Sequence, residues 1–216
     1  MKRVFILMLF LVVMSTATFA LDNNFGFGAL YNNATTYGQW KNNWWEDGGY
    51  YYDTDWSLQR YGFGAFIFLG LSRFFELNLG IIYKHPNKLI AKDSDGDNYD
   101  FDPSEEGGWT SVLAGQVGIY YKYPLTISEK FILFPTVGID GEISLYSLEH
   151  GEFLPDGWWH DIWLRGGVGL DFFFTEKIFL RTHAIYGIAY PIGGWEDDNL
   201  SLSHGLLVKL GLGWMF

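Results

Sequence analysis

Hydrophobic and polar positions alternate with a period of two in eight stretches of this 216-residue chain, each bounded by turn-forming residues. Alternation of that kind puts successive side chains on opposite faces of an extended backbone and predicts β-strands with one apolar face. The first covers Phe25 to Tyr31, and the second runs from about Leu58 to Leu71 with Tyr61, Phe63, Ala65, Ile67, Leu69 and Leu71 on one face. In the third, Phe75, Leu77, Leu79, Ile81 and Tyr83 oppose Glu76, Asn78, Gly80 and Lys84. The fourth sets Leu113, Val117, Ile119, Tyr121 and Tyr123 against Gln116, Gly118 and Lys122. In the fifth, Phe131, Leu133, Val137, Ile139 and Ile143 oppose Gly138, Asp140 and Glu142, and in the sixth Ile162, Leu164, Val168, Leu170 and Phe172 oppose Arg165, Gly167, Gly169 and Asp171. The seventh carries Leu180, Ala184, Tyr186, Ile188 and Tyr190 against Arg181 and His183. The eighth carries Leu206, Val208, Leu210, Leu212, Trp214 and Phe216 against Lys209, Gly211 and Gly213.

The connections between these stretches alternate in length. Short ones fall at Ser72–Phe74, Pro124–Lys130 and Thr175–Lys177, and long ones at Asn32–Ser57, His85–Thr110, Tyr146–Asp161 and Pro191–Ser203. The expected fold is therefore an all-β, eight-stranded antiparallel up-and-down barrel with three short turns at one end and four long loops at the other. No fixed-period motif repeats along the chain, which disfavours a solenoid.

Period two alone does not say which face looks outward; volume does. The eight apolar faces carry about forty large side chains, and an eight-stranded barrel has an interior only just wide enough to be filled by side chains. The apolar face must then point out, into lipid. The opposite face carries a glycine on every strand, among them Gly26, Gly62, Gly80, Gly118, Gly138, Gly167, Gly187 and Gly211. It also carries Arg60, Glu76, Lys84, Lys122, Asp140, Glu142, Arg165, Asp171, Arg181 and Lys209, which suits a narrow polar lumen. Tyr31, Tyr83 and Tyr190 at the long-loop end, and Tyr121, Tyr123, Phe172, Phe174, Trp214 and Phe216 at the short-turn end, form two aromatic belts of the kind found at membrane interfaces. A closed barrel also leaves no unpaired backbone edge in lipid.

The chain begins Met1-Lys2-Arg3, continues through apolar Val4 to Met14, and reaches small residues ending at Ala20. That is the layout of a cleaved secretory signal peptide over residues 1–20, too short for a spanning helix, with a mature barrel domain over 21–216. The absence of cysteine removes disulfides and thiolate chemistry, and a net charge of −11 argues against nucleic acid as a partner.

The terminal stretch Leu206-Leu207-Val208-Lys209-Leu210-Gly211-Leu212-Gly213-Trp214-Met215-Phe216 resembles the assembly signal of bacterial outer-membrane barrel proteins. With the leader and the four long loops, the chain resembles the small eight-stranded outer-membrane families, the OmpW-like, OmpX/Ail-like and OmpA-barrel proteins, without a motif particular to one of them. The resemblance implies residence in the bacterial outer membrane, contact with outer-membrane lipid, periplasmic termini, extracellular long loops, and insertion by the barrel assembly machinery through Trp214 and Phe216.

Candidate chemistry lies in the loops and the lumen. The long loops hold 18 of the 25 acidic residues and three basic ones, Lys41, Lys88 and Lys92. The run Asp93-Ser94-Asp95-Gly96-Asp97 offers closely spaced carboxylates that suit Ca²⁺, yet the positions that an EF-hand reserves for glycine and glutamate hold Asn98 and Ser104. A solvated acidic loop is the plainer reading, with Ca²⁺ at Asp93, Asp95 and Asp97 the alternative and no other cofactor expected. Trp40, Trp44, Trp45, Tyr51, Trp158, Trp159 and Trp195 place aromatics among polar loop residues, which suits a glycan or protein ligand as well as an extended interfacial belt. The lumen charges suit either internal pairing or a narrow channel. None of the five histidines, His85, His150, His160, His183 and His204, stands in the His-x-Ser arrangement of lipid-hydrolysing barrels, so no enzyme is expected. The expected role is surface interaction or envelope structure through the loops. The alternative is an OmpW-like channel for small solutes or hydrophobic molecules.

Overall fold

The computed structural model of the chain describes residues 24–44, 51–92, 98–101, 111–147, 152–153, 160–192 and 202–216. Eight long strands form within them: β1 (Asn24–Trp44), β2 (Tyr51–Gly70), β3 (Phe75–Lys92), β4 (Val112–Lys122), β5 (Phe131–Ser147), β6 (His160–Phe173), β7 (Ile178–Ile192) and β8 (Leu202–Met215). Each pairs antiparallel with its sequence neighbours. β1 closes the ring on β8, with Asn24 opposite Met215 and Tyr37 opposite Leu202. The described part of the chain is thus the expected closed up-and-down barrel, with its first and last strands starting and finishing at the short-turn end. Three short strands lie outside the ring: Asn98–Phe101 on β3, and Leu125–Ser128 and Glu152–Phe153 on β5.

Each short turn is closed by a hydroxyl. Ser72 Oγ accepts from the backbone N–H of Phe74 (3.2 Å) and Phe75 (3.1 Å), and Thr175 Oγ1 accepts from Lys177 (3.2 Å) and Ile178 (3.0 Å). Ser128 Oγ accepts from Lys130 N–H at 3.3 Å. Side-chain oxygens of Ser and Thr satisfy turn donors that have no ladder partner, and this fixes where the chain reverses.

The long connections are shorter than the sequence suggests. β1 continues past Tyr31 to Trp44 and β2 begins at Tyr51, so most of the expected loop Asn32–Ser57 is a paired hairpin. Strands of 21 and 20 residues are about twice the 9–11 with which a transmembrane strand crosses a bilayer. β3 likewise runs on to Lys92. An extra residue at Asn87, where the pairing passes from Arg60–Pro86 to Gln59–Lys88, transfers the inward position from Lys84 and Pro86 to Leu89 and Ala91.

The partition of side chains follows the volume expectation. Phe63, Ile139, Leu164 and Leu210 point outward and are 50–59 % exposed, as do most of the residues assigned to the apolar face. The buried core is inside the ring. Leu30, Phe66, Phe68, Ile82, Tyr120, Phe179, Ile185 and Leu207 pack as one cluster across the lumen, with Phe173 and Met215 against its lower edge. Nearer the long-loop end Trp163 packs with Ala34 and Ala189, and Trp56 with Leu58 and Leu89. The lumen is therefore less polar than expected, because an apolar plug shares it with the charges. Two inward glycines make this possible: the Phe68 ring occupies the space a side chain at Gly26 would need, and the Phe179 ring does the same at Gly213.

Candidate functional site: the filled lumen

The inward positions of β3, β4, β6, β7 and β8 bring one group of charges together above the short-turn mouth. Arg181 donates from Nε to Asp171 Oδ1 and from Nη2 to Oδ2, both at 2.6 Å, a two-point fork that matches the planar guanidinium to the carboxylate. Its Nη1 also donates to Glu76 Oε2, an oxygen that accepts from Lys122 Nζ at 3.1 Å as well. The other oxygen of Glu76 accepts from Asn78 Nδ2 at 2.9 Å, and Asn78 Oδ1 accepts from Lys209 Nζ at 3.0 Å. All six side chains are at least nine-tenths buried. Aromatic faces complete the enclosure: the Arg181 guanidinium lies 4.5 Å from the Phe68 ring centre and 4.9 Å from that of Phe179, and Lys209 Nζ lies 4.6 Å from that of Tyr120.

A second group sits midway along the barrel. Asp140 Oδ2 accepts from Tyr120 O–H at 2.5 Å and from Gln116 Nε2 at 3.1 Å, and lies 2.6 Å from Arg165 Nε. Arg165 is stacked 4.2 Å from the Trp163 ring centre, and its Nη1 and Nη2 have no hydrogen-bond partner among the described residues. Glycine at 118 leaves the space that Asp140 fills. A third pair, Lys84 with Glu142, lies toward the long-loop end. Burial of unpaired charge is costly, and pairing plus ring contact is how these ten-odd groups tolerate an interior position.

The expected lumen charges are thus brought together, with Arg60 the exception in degree: it is only half-buried, near the β3 irregularity. Asn78, Gln116 and Tyr120, which connect these charges, are not among the candidate residues expected from the sequence. Their signal was available, since each has the inward parity of a neighbouring charge, but uncharged polar residues carry less weight in a pattern of apolar and charged positions. His183 does face the lumen, 3 % exposed and edge-on to Phe134 at 5.0 Å, and neither ring nitrogen has a hydrogen-bond partner among the described residues.

The loop candidates divide. Trp40, Trp44 and Tyr51 belong to the β1–β2 hairpin rather than to a loop, and Trp56, expected in the same loop, points inward at 7 % exposure. Trp45, Trp158, Trp159 and Trp195 lie outside the described residues, as do Asp93, Asp95 and Asp97. Among the described residues no three His, Asp or Glu side chains are grouped to hold a metal ion. Trp214 packs outward against Phe27 with ring centres 6.4 Å apart, and Phe216 is 83 % exposed beyond the end of β8.

On the outer surface near the long-loop end, His204 shares hydrogen bonds with Tyr186 OH (2.6 Å) and Tyr37 OH (3.4 Å). His85 does so with Ser111 Oγ at 2.7 Å, between the rings of Tyr61 and Tyr83. These groups extend the expected aromatic belt with imidazoles.

No family model and no curated protein matches the chain. Its shape is similar to solved structures at low identity. The outer membrane protein OprG from Pseudomonas aeruginosa is 11 % identical with a TM-score of 0.46, over 90 % of this chain and 96 % of that one. The outer membrane protease OmpT from Escherichia coli is 12 % identical with a TM-score of 0.38, over 90 % and 97 %. Neisserial surface protein A is 12 % identical with a TM-score of 0.37, over 88 % and 97 %.

Proposed function

We propose that the chain is an integral outer-membrane β-barrel whose lumen is a structural core, and whose contacts with other molecules are made by its long-loop end. The observation that carries this reading is the filling of the lumen. The rings of Phe66, Phe68, Tyr120, Phe179 and Trp163 and three sets of paired charges lie across its length, each at 7 % exposure or less. A conducting pore needs a continuous polar path whose groups bind a solute and release it, whereas here eight of the lumen charges are paired with one another and aromatic rings lie among them. The outward apolar surface supports a lipid environment, and the β1–β2 hairpin supports a rigid stalk that carries aromatic and acidic residues beyond the bilayer. An extracellular protein or glycan is the partner such a surface suits, and the carboxylates of Asp93, Asp95 and Asp97 in the same loops suit Ca²⁺. Insertion by the barrel assembly machinery, reading Trp214 and Phe216 from the periplasmic side, belongs to the same proposal.

Planar-bilayer recording of the refolded barrel tests the reading. Silence is expected, and reproducible single-channel steps that change with Arg165→Ala would overturn it. The complementary assay is binding to cells or matrix, in which trimming the hairpin tip (residues 41–54) is expected to abolish contact. Cutting further back, to Asn32, would remove barrel strand and test only folding.

A further inference from the structure

The lumen is filled, but its short-turn mouth is not closed flush. A cavity of about 220 Å³ lies there beneath the Glu76 network, walled by Lys122, Arg181, Asp171, Arg73, Thr126 and the ring of Phe134 among others. Its charge is unbalanced. Three cations stand in the wall against the single carboxylate of Asp171, and the Glu76 carboxylate behind them brings the count to three against two. The excess is placed for an incoming ligand. Arg181 spends three of its five N–H groups on Asp171 and Glu76. Lys122, by contrast, spends one of its three N–H groups on a Glu76 oxygen that it shares with Arg181. Arg73 is exposed in the turn between β2 and β3, with its guanidinium 5.8 Å from the ring centre of its neighbour Phe74.

We propose that this mouth is a binding site for a small oxyanion, a phosphate or carboxylate group, entering from the aqueous side of the short turns. Lys122 supplies a buried cation at the floor, where a low local dielectric strengthens its pull. Arg73 supplies a planar fork at the rim that can close over the bound group. Asp171 and Glu76 hold Arg181 fixed and so keep the floor from collapsing into the cavity. A cation would meet Arg73, Lys122 and Arg181 first and is excluded. This site is independent of what the long-loop end contacts.

The chain supplies its own reporter. Of its four methionines, Met1, Met8 and Met14 fall in the leader stretch, and the fourth, Met215, lines the cavity. The full chain in zwitterionic detergent micelles, carrying isotope-labelled methionine methyl groups, is titrated with inorganic phosphate and separately with acetate. A saturable shift of the Met215 methyl signal with either anion is expected. Arg73→Gln should weaken it about threefold to tenfold, the loss of one partly screened charge-assisted contact. Lys177→Gln, an exposed lysine in the turn between β6 and β7 whose carbonyl accepts from Met215 N–H at 2.8 Å, should move the starting position of the signal at most and leave the half-saturating anion concentration unchanged. The arm that saturates at the lower concentration identifies the oxyanion class. A shift that never saturates overturns the proposal, and so does an equal response in Arg73→Gln and Lys177→Gln. Arg73 is exposed, so its replacement leaves folding intact, and heat-modifiable gel migration checks this for each variant.

Discussion

Replacing Arg181 by Met tests whether the lumen charges are held as a balanced set. Glu76, Asp171, Arg181 and Lys122 form a group of two negative and two positive charges, all at 5 % exposure or less. Arg181→Met leaves two carboxylates to share Lys122, and Asp171→Leu leaves two cations to share Glu76. Either single change strands a buried charge, which costs about 3–5 kcal/mol. The double variant restores the balance, since Glu76 keeps Lys122 at 3.1 Å and no unpaired charge remains. Met and Leu also preserve contact with the rings of Phe68, Phe134 and Phe179 that now surround the guanidinium. Replacing a whole buried ion pair with apolar residues of similar bulk is close to neutral, so the double variant should lie within about 1–2 kcal/mol of the parent. Urea unfolding of the barrel in lipid vesicles, followed by tryptophan fluorescence, gives the three free energies. The double variant must be more stable than either single one. If the two losses simply add, the charges are not coupled and the balance argument is refuted.

Two further changes probe the outer surface and the closing strand. Ile139→Lys, at an outward position 59 % exposed and paired across to Leu164, should cost about 2–4 kcal/mol in vesicle unfolding if that position meets lipid, and almost nothing if it meets water. Deleting Phe216 should change the unfolding free energy by less than about 1 kcal/mol, because the ring lies past the last strand and is 83 % exposed, while outer-membrane yield in cells falls; equal loss in both assays would count against a role in assembly.

Legibility varied from strand to strand for physical reasons. β6, β7 and β8 alternate apolar residues with Arg, Asp, His, Lys or Gly, so their parity and their charged lumen residues are plain in the sequence, while the inward Trp163, Phe179, Ile185 and Leu207 are not marked by it. β2 reads Phe63-Gly64-Ala65-Phe66-Ile67-Phe68-Leu69, apolar at every position, so periodicity could identify the strand but not its inward rings. Phe66 and Phe68 become readable only from register: they share the parity of Gly62 and stand opposite Gly28 and Gly26 on β1. The extension of β1 was hidden for the opposite reason. Asn32 to Thr36 are polar or small and resemble a loop, yet Asn32, Ala34 and Thr36 continue the inward face, and Thr36 Oγ1 meets Ser203 Oγ at 2.8 Å. Once a strand has a partner on both sides, its backbone hydrogen bonds are satisfied whatever the side chains are, so the ladder continues into water where hydrophobicity no longer marks it.

The mixture of rings and ion pairs in the lumen also has a reason in the two surfaces each strand must serve. In the proposed membrane setting its outward face is fixed as apolar by lipid. An inward face that was aliphatic as well would make every strand read like β2, a continuous apolar segment prone to pair with other chains before the barrel closes. Spacing Glu76, Asp140, Arg165, Asp171 and Arg181 along the inward parity prevents that in the open chain, and the charges neutralise one another only when β3, β5, β6 and β7 have reached their final register. A slip of one residue would turn every one of these charges into lipid, at a cost of several kcal/mol each near the midplane. The polar network therefore contributes more to choosing the register than to deepening the stability of the barrel. The aromatic plug of Phe66, Phe68 and Phe179, seated over Gly26 and Gly213, supplies the packing that the charges do not.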